Sequence, residues 1–153
     1  VPNSIETQQR LDLQTIVQAG NIGIPQAQIV IRDEPVVVDG DPLPLLILCP
    51  GTKVASKPFN FEGATTERVY VTRFVYVEGT SGDGTLALPS YESIQAAIRQ
   101  SVNSSGGNFR TTLPNCPTVQ MLWFRDETND VPKLDINYPY RLLELEVHSQ
   151  EQG

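Results

Sequence analysis

The chain has one histidine, His148, and two cysteines, Cys49 and Cys116, and nucleophilic or transition-metal chemistry would have to start from these three side chains. A serine or cysteine nucleophile needs a base within hydrogen-bond reach, normally a histidine that a third group orients. His148 lies in an alternating, strand-like run, and no serine sits in a G-x-S-x-G elbow. A Ser-His or Cys-His arrangement is therefore not expected. Zinc would need both cysteines, His148 and a carboxylate to converge without any of the short ligand spacings of known site types. The plainer place for His148 is the solvent side of a strand. Cys49 follows an apolar run and Cys116 lies between Asn115 and Pro117, which predicts two free thiols rather than a disulfide framework.

Paired carboxylates can divide acid and base work in glycoside hydrolysis, and Glu62, Glu67, Asp126 and Glu127 are candidates. No spacing singles out a pair, and carboxylates in polar loops are mostly solvated surface. The run Gly79-Thr80-Ser81-Gly82-Asp83-Gly84 is glycine-rich but lacks the lysine and the G-x-x-x-x-G-K order of a phosphate loop. It reads as a projecting tip, and Gly79, Thr80, Ser81, Gly82, Asp83 and Gly84 form the candidate assembly or channel-facing loop. There is no dinucleotide fingerprint and no calcium-loop pattern, so no cofactor and no metal are expected. The reading is of a binding or assembly protein, not an enzyme.

Composition sets the frame for these residues. A chain of 153 residues with 39% apolar and 19% charged side chains suits one globular domain, residues 1 to 153, able to bury its own core. The 11 glycines and 12 prolines, spread along the chain, imply many turns between short elements. The formal charge of −7 opposes gripping a phosphate backbone, whose affinity comes largely from Lys and Arg. An acidic channel wall could still let a duplex pass without sticking. The longest apolar run, Leu43 to Cys49, is far short of the roughly 20 residues a membrane-spanning helix needs. The first residues lack a basic start followed by an apolar stretch, so neither a leader nor a membrane partner is expected.

The elements that would position these groups follow from periodicity. Asn3, with Glu6 three positions later, predicts a helix start, and Gly20 its end at Ala19. Leu13, Ile16 and Val17 give this helix a narrow apolar stripe, so it should be peripheral or completed by another subunit. Ile29 to Ile31, Val36 to Val38 and Leu45 to Leu48 read as short strands, with a hairpin at Asp39-Gly40-Asp41-Pro42 joining the last two. Lys53 to Thr66 reads as a loop, and Glu67 to Glu78 as the longest strand. On it Val69, Val71, Arg73, Val75 and Val77 share one face, and Tyr70, Thr72, Phe74 and Tyr76 the other. Ser90 should cap a second helix with Tyr91, Ile94, Ala97, Ile98 and Val102 inward and Arg99 and Gln100 outward. Val119 to Phe124 and Pro139 to His148 are the final strands, the last with Leu143, Leu145 and Val147 opposite an acidic face. The fold class is α+β: a mostly antiparallel or mixed sheet flanked by two helices.

This order of elements resembles the tail terminator proteins of tailed bacteriophages. The opening helix, the Leu43-Pro44-Leu45-Leu46-Ile47-Leu48 strand and the Arg68 to Val77 strand carry the likeness. The Tyr91-Glu92-Ser93-Ile94-Gln95-Ala96-Ala97-Ile98-Arg99 helix and the closing strand from Tyr138 to Val147 complete it. The resemblance is one of layout and size rather than of a motif. It implies a structural virion protein of the tail or neck region, assembled in the host cytoplasm. It further implies a homo-oligomer, a hexameric ring on the last tail tube ring, bound by neck or head-completion proteins, with DNA only passing through the lumen. Such a protein has no catalytic residues to carry over. Another small oligomeric binding or adaptor domain, or a small hydrolase with a carboxylate site, remains an alternative.

Overall fold

The computed structural model describes residues 4–38, 40–51, 57–58, 65–78, 91–103, 112–125, 134, 136 and 140–152. The first helix, α1, spans Ile5–Ala19. Its N-cap is Ser4, whose Oγ accepts from the Thr7 amide at 3.2 Å, so the cap falls one residue later than the Asn3 signal placed it. Gly20 ends it, its amide bonding back to Ile16 and Val17. The strands that follow are β1 (Ile29–Ile31), β2 (Leu45–Pro50), the two-residue β3 (Lys57–Pro58) and β4 (Thr65–Val77). Helix α2 (Tyr91–Asn103) precedes β5 (Val119–Phe124) and β6 (Tyr140–Gln152).

The strands form one mixed sheet in the order β1-β2-β4-β6-β5, with β3 on β4. Among the described residues only β1 and β2 run parallel; the other pairs are antiparallel. The α+β class is as the periodicity predicts. Both helices pack on one face, where Leu13 and Val17 of α1 and Ile94, Ile98 and Val102 of α2 meet Leu46, Leu48, Phe74, Tyr76, Leu122, Leu143, Leu145 and Val147. The opposite face holds a smaller cluster of Leu45, Ile47, Cys49, Val75 and Val77, overlaid by Val37, Leu43, Leu134 and Ile136. The second apolar face of the long strand is thus covered in part from within the chain.

The strand expected at Val36 to Val38 and the hairpin after it do not form. Because β1 and β2 are parallel, the chain between them must cross from one end of the sheet to the other, and a tight hairpin cannot do that. Arg32 organises the crossing. Its guanidinium bonds both Asp41 carboxylate oxygens at 2.8 Å and the Val36 carbonyl at 2.7 Å, while the Val38 amide donates to Asp41 Oδ2. The bonds from Arg32 hold the Asp41 carboxyl below its usual range. Val37 is left free to lie over the second cluster.

Helix α1 is also more deeply seated than its narrow stripe implied, because three polar side chains, Gln9, Arg10 and Asp12, are buried beside Leu13 and Val17. Asp12 accounts for its own burial. It accepts from the Asn115 amide at 2.9 Å, Asn115 Nδ2 at 2.8 Å and Gln8 Nε2 at 3.2 Å, pinning the helix to the turn before β5. Helix α2 approaches so closely that a Cβ on Gly20 would overlap Ser101. Arg99, expected outward, lies over the Phe124 ring at 5.1 Å.

Ile94, Val75 and Leu145 are fully buried, with Ile98 at 1% and Val71 at 6% exposed, as alternation and helical spacing predict. Ile98→Ala should therefore lower unfolding free energy by about 2–5 kcal/mol in urea titrations, with an unchanged denaturant slope.

Candidate functional site

The register of three strands builds the most chemically varied surface of the fold. Antiparallel pairing of β4 with β6 sets Arg73 opposite Glu144, Val71 opposite Glu146 and Val69 opposite His148. Pairing of β5 with β6 adds Trp123 opposite Glu146 and Met121 opposite His148, after an irregularity between Val119 and Met121. All of these side chains point away from the helices, since each alternates with a residue of the helix-covered core.

The charges on this face form a ladder. Arg73 Nε and Arg125 Nη1 each lie 3.5 Å from Glu144 Oε2, and Arg125 Nε donates to Glu146 Oε2 at 2.9 Å. Glu146 Oε1 is 3.0 Å from His148 Nε2, and Glu67 Oε1 is 3.3 Å from His148 Nδ1. A neutral ring donates to one of these carboxylates; a protonated ring donates to both. The face expected to be acidic is instead largely neutralised across the strands. Beside the ladder, Trp123 is 52% exposed on β5, a strand that pairs only with β6 among the described residues.

The ladder does not gather its ligand-type side chains around one point. Glu67 and Glu146 address opposite nitrogens of His148, so the three cannot converge on one ion. Among the described residues, no group of three or more His, Cys, Asp or Glu side chains could hold a metal. Opposed charges at this spacing can position side chains and fix how another surface docks, with modest energy from each exposed pair.

The two thiols lie in different clusters on opposite faces of the sheet, and both are free. Burial pushes Cys49 up to about 11, against the opposing pull of Arg73 and Arg10. Burial, then the bond and charge of Asp12, push Cys116 up to about 12. Neither is poised as a nucleophile at neutral pH. On the helix side, Tyr70 donates to Glu151 Oε2 at 2.7 Å and is likewise pushed up to about 12, chiefly by burial.

Of the sequence-derived candidates, Glu67 and His148 come together; His148 is partly buried between carboxylates rather than open to solvent. Glu62, Asp126, Glu127 and the whole Gly79 to Gly84 loop lie outside the described residues, as does Ser90. Arg125 and the exposed Trp123 also belong to this face, and neither stands out in the sequence. The signal for the ladder was faint but present: Arg73 interrupts a valine face, and Glu144 and Glu146 alternate on β6. No family model matches the chain, and no curated protein matches it.

Cys49, Cys116 and Tyr70 have folded-state pKa values raised above their ordinary 9.0, 9.0 and 10.0. Each contributes stability in full below its ordinary value and loses it as pH rises through the folded one. Thermal melts should therefore show stability falling progressively above about pH 9, and Tyr70→Phe should make the decline above pH 10 shallower. Melts of equal steepness in wild type and Tyr70→Phe would show that Tyr70 is not one of the groups responsible.

Proposed function

We propose that this chain is a structural assembly protein of the phage tail-terminator type, not an enzyme. Copies of it would close into a ring, of six by the family's example, that caps the head-proximal end of a tail tube and joins it to neck proteins. The observation that carries the reading is the exposed Trp123 beside a charge-paired sheet face and an edge strand with no outer neighbour among the described residues. Exposed aromatics and edge strands are the features folded proteins use for partners, and an isolated monomer gains nothing from either.

The order of elements and the one-sided placement of both helices support the same layout. The overall charge fits a lumen for DNA: six copies at −7 would carry 6 × (−7) = −42, which favours passage over adhesion. The partners of such a ring are further copies, a tail tube protein and a neck or head-completion protein, in the virion. An oligomeric adaptor outside a virion would use the same surface, and binding to purified tail tubes separates the two.

Negative-stain images and light scattering should show closed rings, and Trp123→Glu should shift them toward folded monomers. Deleting Ser81 to Asp83 should leave the fold intact while weakening attachment to tail tubes. Monomers at every concentration, alone and with tail tubes, would exclude the ring. Turnover in a substrate screen, lost in His148→Ala, would favour a hydrolase instead.

A further inference from the structure

Two buried polar side chains of α1 each leave one nitrogen without a partner. Gln9 is 1% and Arg10 6% exposed, and among the described residues neither Gln9 Nε2 nor Arg10 Nε has a hydrogen-bond partner. Both line a small cavity between the first half of α1 and the sheet, walled by Pro50 and Gly51 after β2 and by Val71 and Thr72 of β4. Tyr70, also on the wall, has its hydroxyl committed to Glu151. A guanidinium N–H drawn out of water without an acceptor is strongly disfavoured, and an amide donor left empty adds to the cost. The cavity offers the centre of an atom-sized occupant about 10 Å³, room for a single such atom and too little for sulfate or phosphate.

We propose that this cavity binds one chloride-sized anion, held by Arg10 Nε and Gln9 Nε2, which completes the seat of α1 on the sheet. Size excludes polyatomic anions, and two unpartnered donors on the cavity lining, one of them on a positively charged group, select an anion over a cation. Glu6 also lines the cavity and has an interaction of its own, so Glu6 and a bound anion are rival counter-charges for Arg10, which the variants below separate. The site lies on the helix side of the sheet and is independent of the ring reading. Either can fail without the other.

The test compares melting in sodium chloride and sodium gluconate at equal ionic strength, with crystals grown in bromide to locate the ion. Melting temperature should rise by roughly 3–6 °C for each tenfold increase in chloride above half-saturation, with no such rise in gluconate. An anomalous bromide peak should lie between Arg10 Nε and Gln9 Nε2. Gln9→Glu, which supplies a negative charge from the chain itself, should abolish the chloride dependence while keeping the protein folded. Glu6→Gln should leave the chloride dependence in place or strengthen it. Equal melting in the two salts with no anomalous peak would mean that only water fills the cavity and would overturn the proposal. So would a loss of stability in Glu6→Gln that is the same in both salts, because Glu6 would then be the counter-charge.

Discussion

The antiparallel pairing of β4 with β6, from Thr65 opposite Gln152 to Val77 opposite Tyr140, is the constraint on which the rest of the molecule depends. Side chains alternate with a period of two, so a slip of one residue would turn every inward side chain outward. In the register adopted, Phe74 faces Leu143, Thr72 faces Leu145 and Tyr70 faces Val147, giving the helices a mostly apolar floor. The same register places Arg73 against Glu144 on the other face. A slip would drive Glu144 and Glu146 into the apolar layer under the helices, away from Arg73 and Arg125, while exposing Leu143 and Leu145. The hydrophobic core and the charge ladder are thus two consequences of one pairing.

Around that pair, polar contacts hold what apolar packing alone would leave loose. Asp12 ties α1 to the turn before β5 through the Asn115 backbone and side chain, connecting parts of the chain far apart in sequence. Arg32 and Asp41 close the crossing between β1 and β2. Charged hydrogen bonds of this kind are directional, which suits fixing an irregular segment better than apolar contact does. Each also has its cost in removing charge from water. That cost explains why both carboxylates collect several donors and not one.

The elements legible in the sequence are those whose own residues carry the period: β4 with its valine and aromatic faces, α2 with Ile94, Ile98 and Val102, and β6 with Leu143, Leu145 and Val147. What the sequence hid depends on who sits opposite whom. Val36 to Val38 has strong strand propensity, yet the parallel β1–β2 pair and the Arg32–Asp41 bond turn it into part of a crossing. The face of α1 looked narrow because Gln9, Arg10 and Asp12 are of polar types, and only a tertiary partner can justify their burial. Arg125 joined no pattern of its own. It becomes part of the site because its backbone amide continues the pairing with Glu144 and so aims its guanidinium at two carboxylates.

The distribution of charge bears on how copies of an acidic chain could meet at all. The ladder holds Arg73 and Arg125 against Glu67, Glu144 and Glu146, so with His148 neutral it sums to 2 − 3 = −1. The chain as a whole carries −7, leaving (−7) − (−1) = −6 on the remaining residues. Two molecules approaching through those remaining surfaces repel, and the repulsion reaches about 8 Å at physiological salt. Approach through the ladder carries less of that penalty, because Arg73, Arg125, Glu144 and Glu146 there already have opposite neighbours. A partner meeting this face would exchange solvent for Trp123 and Met121 without stripping an unpaired ion. Among the described surfaces, the one that the sequence alone marked as acidic is thus largely charge-paired, and the cross-strand register is what changes its character.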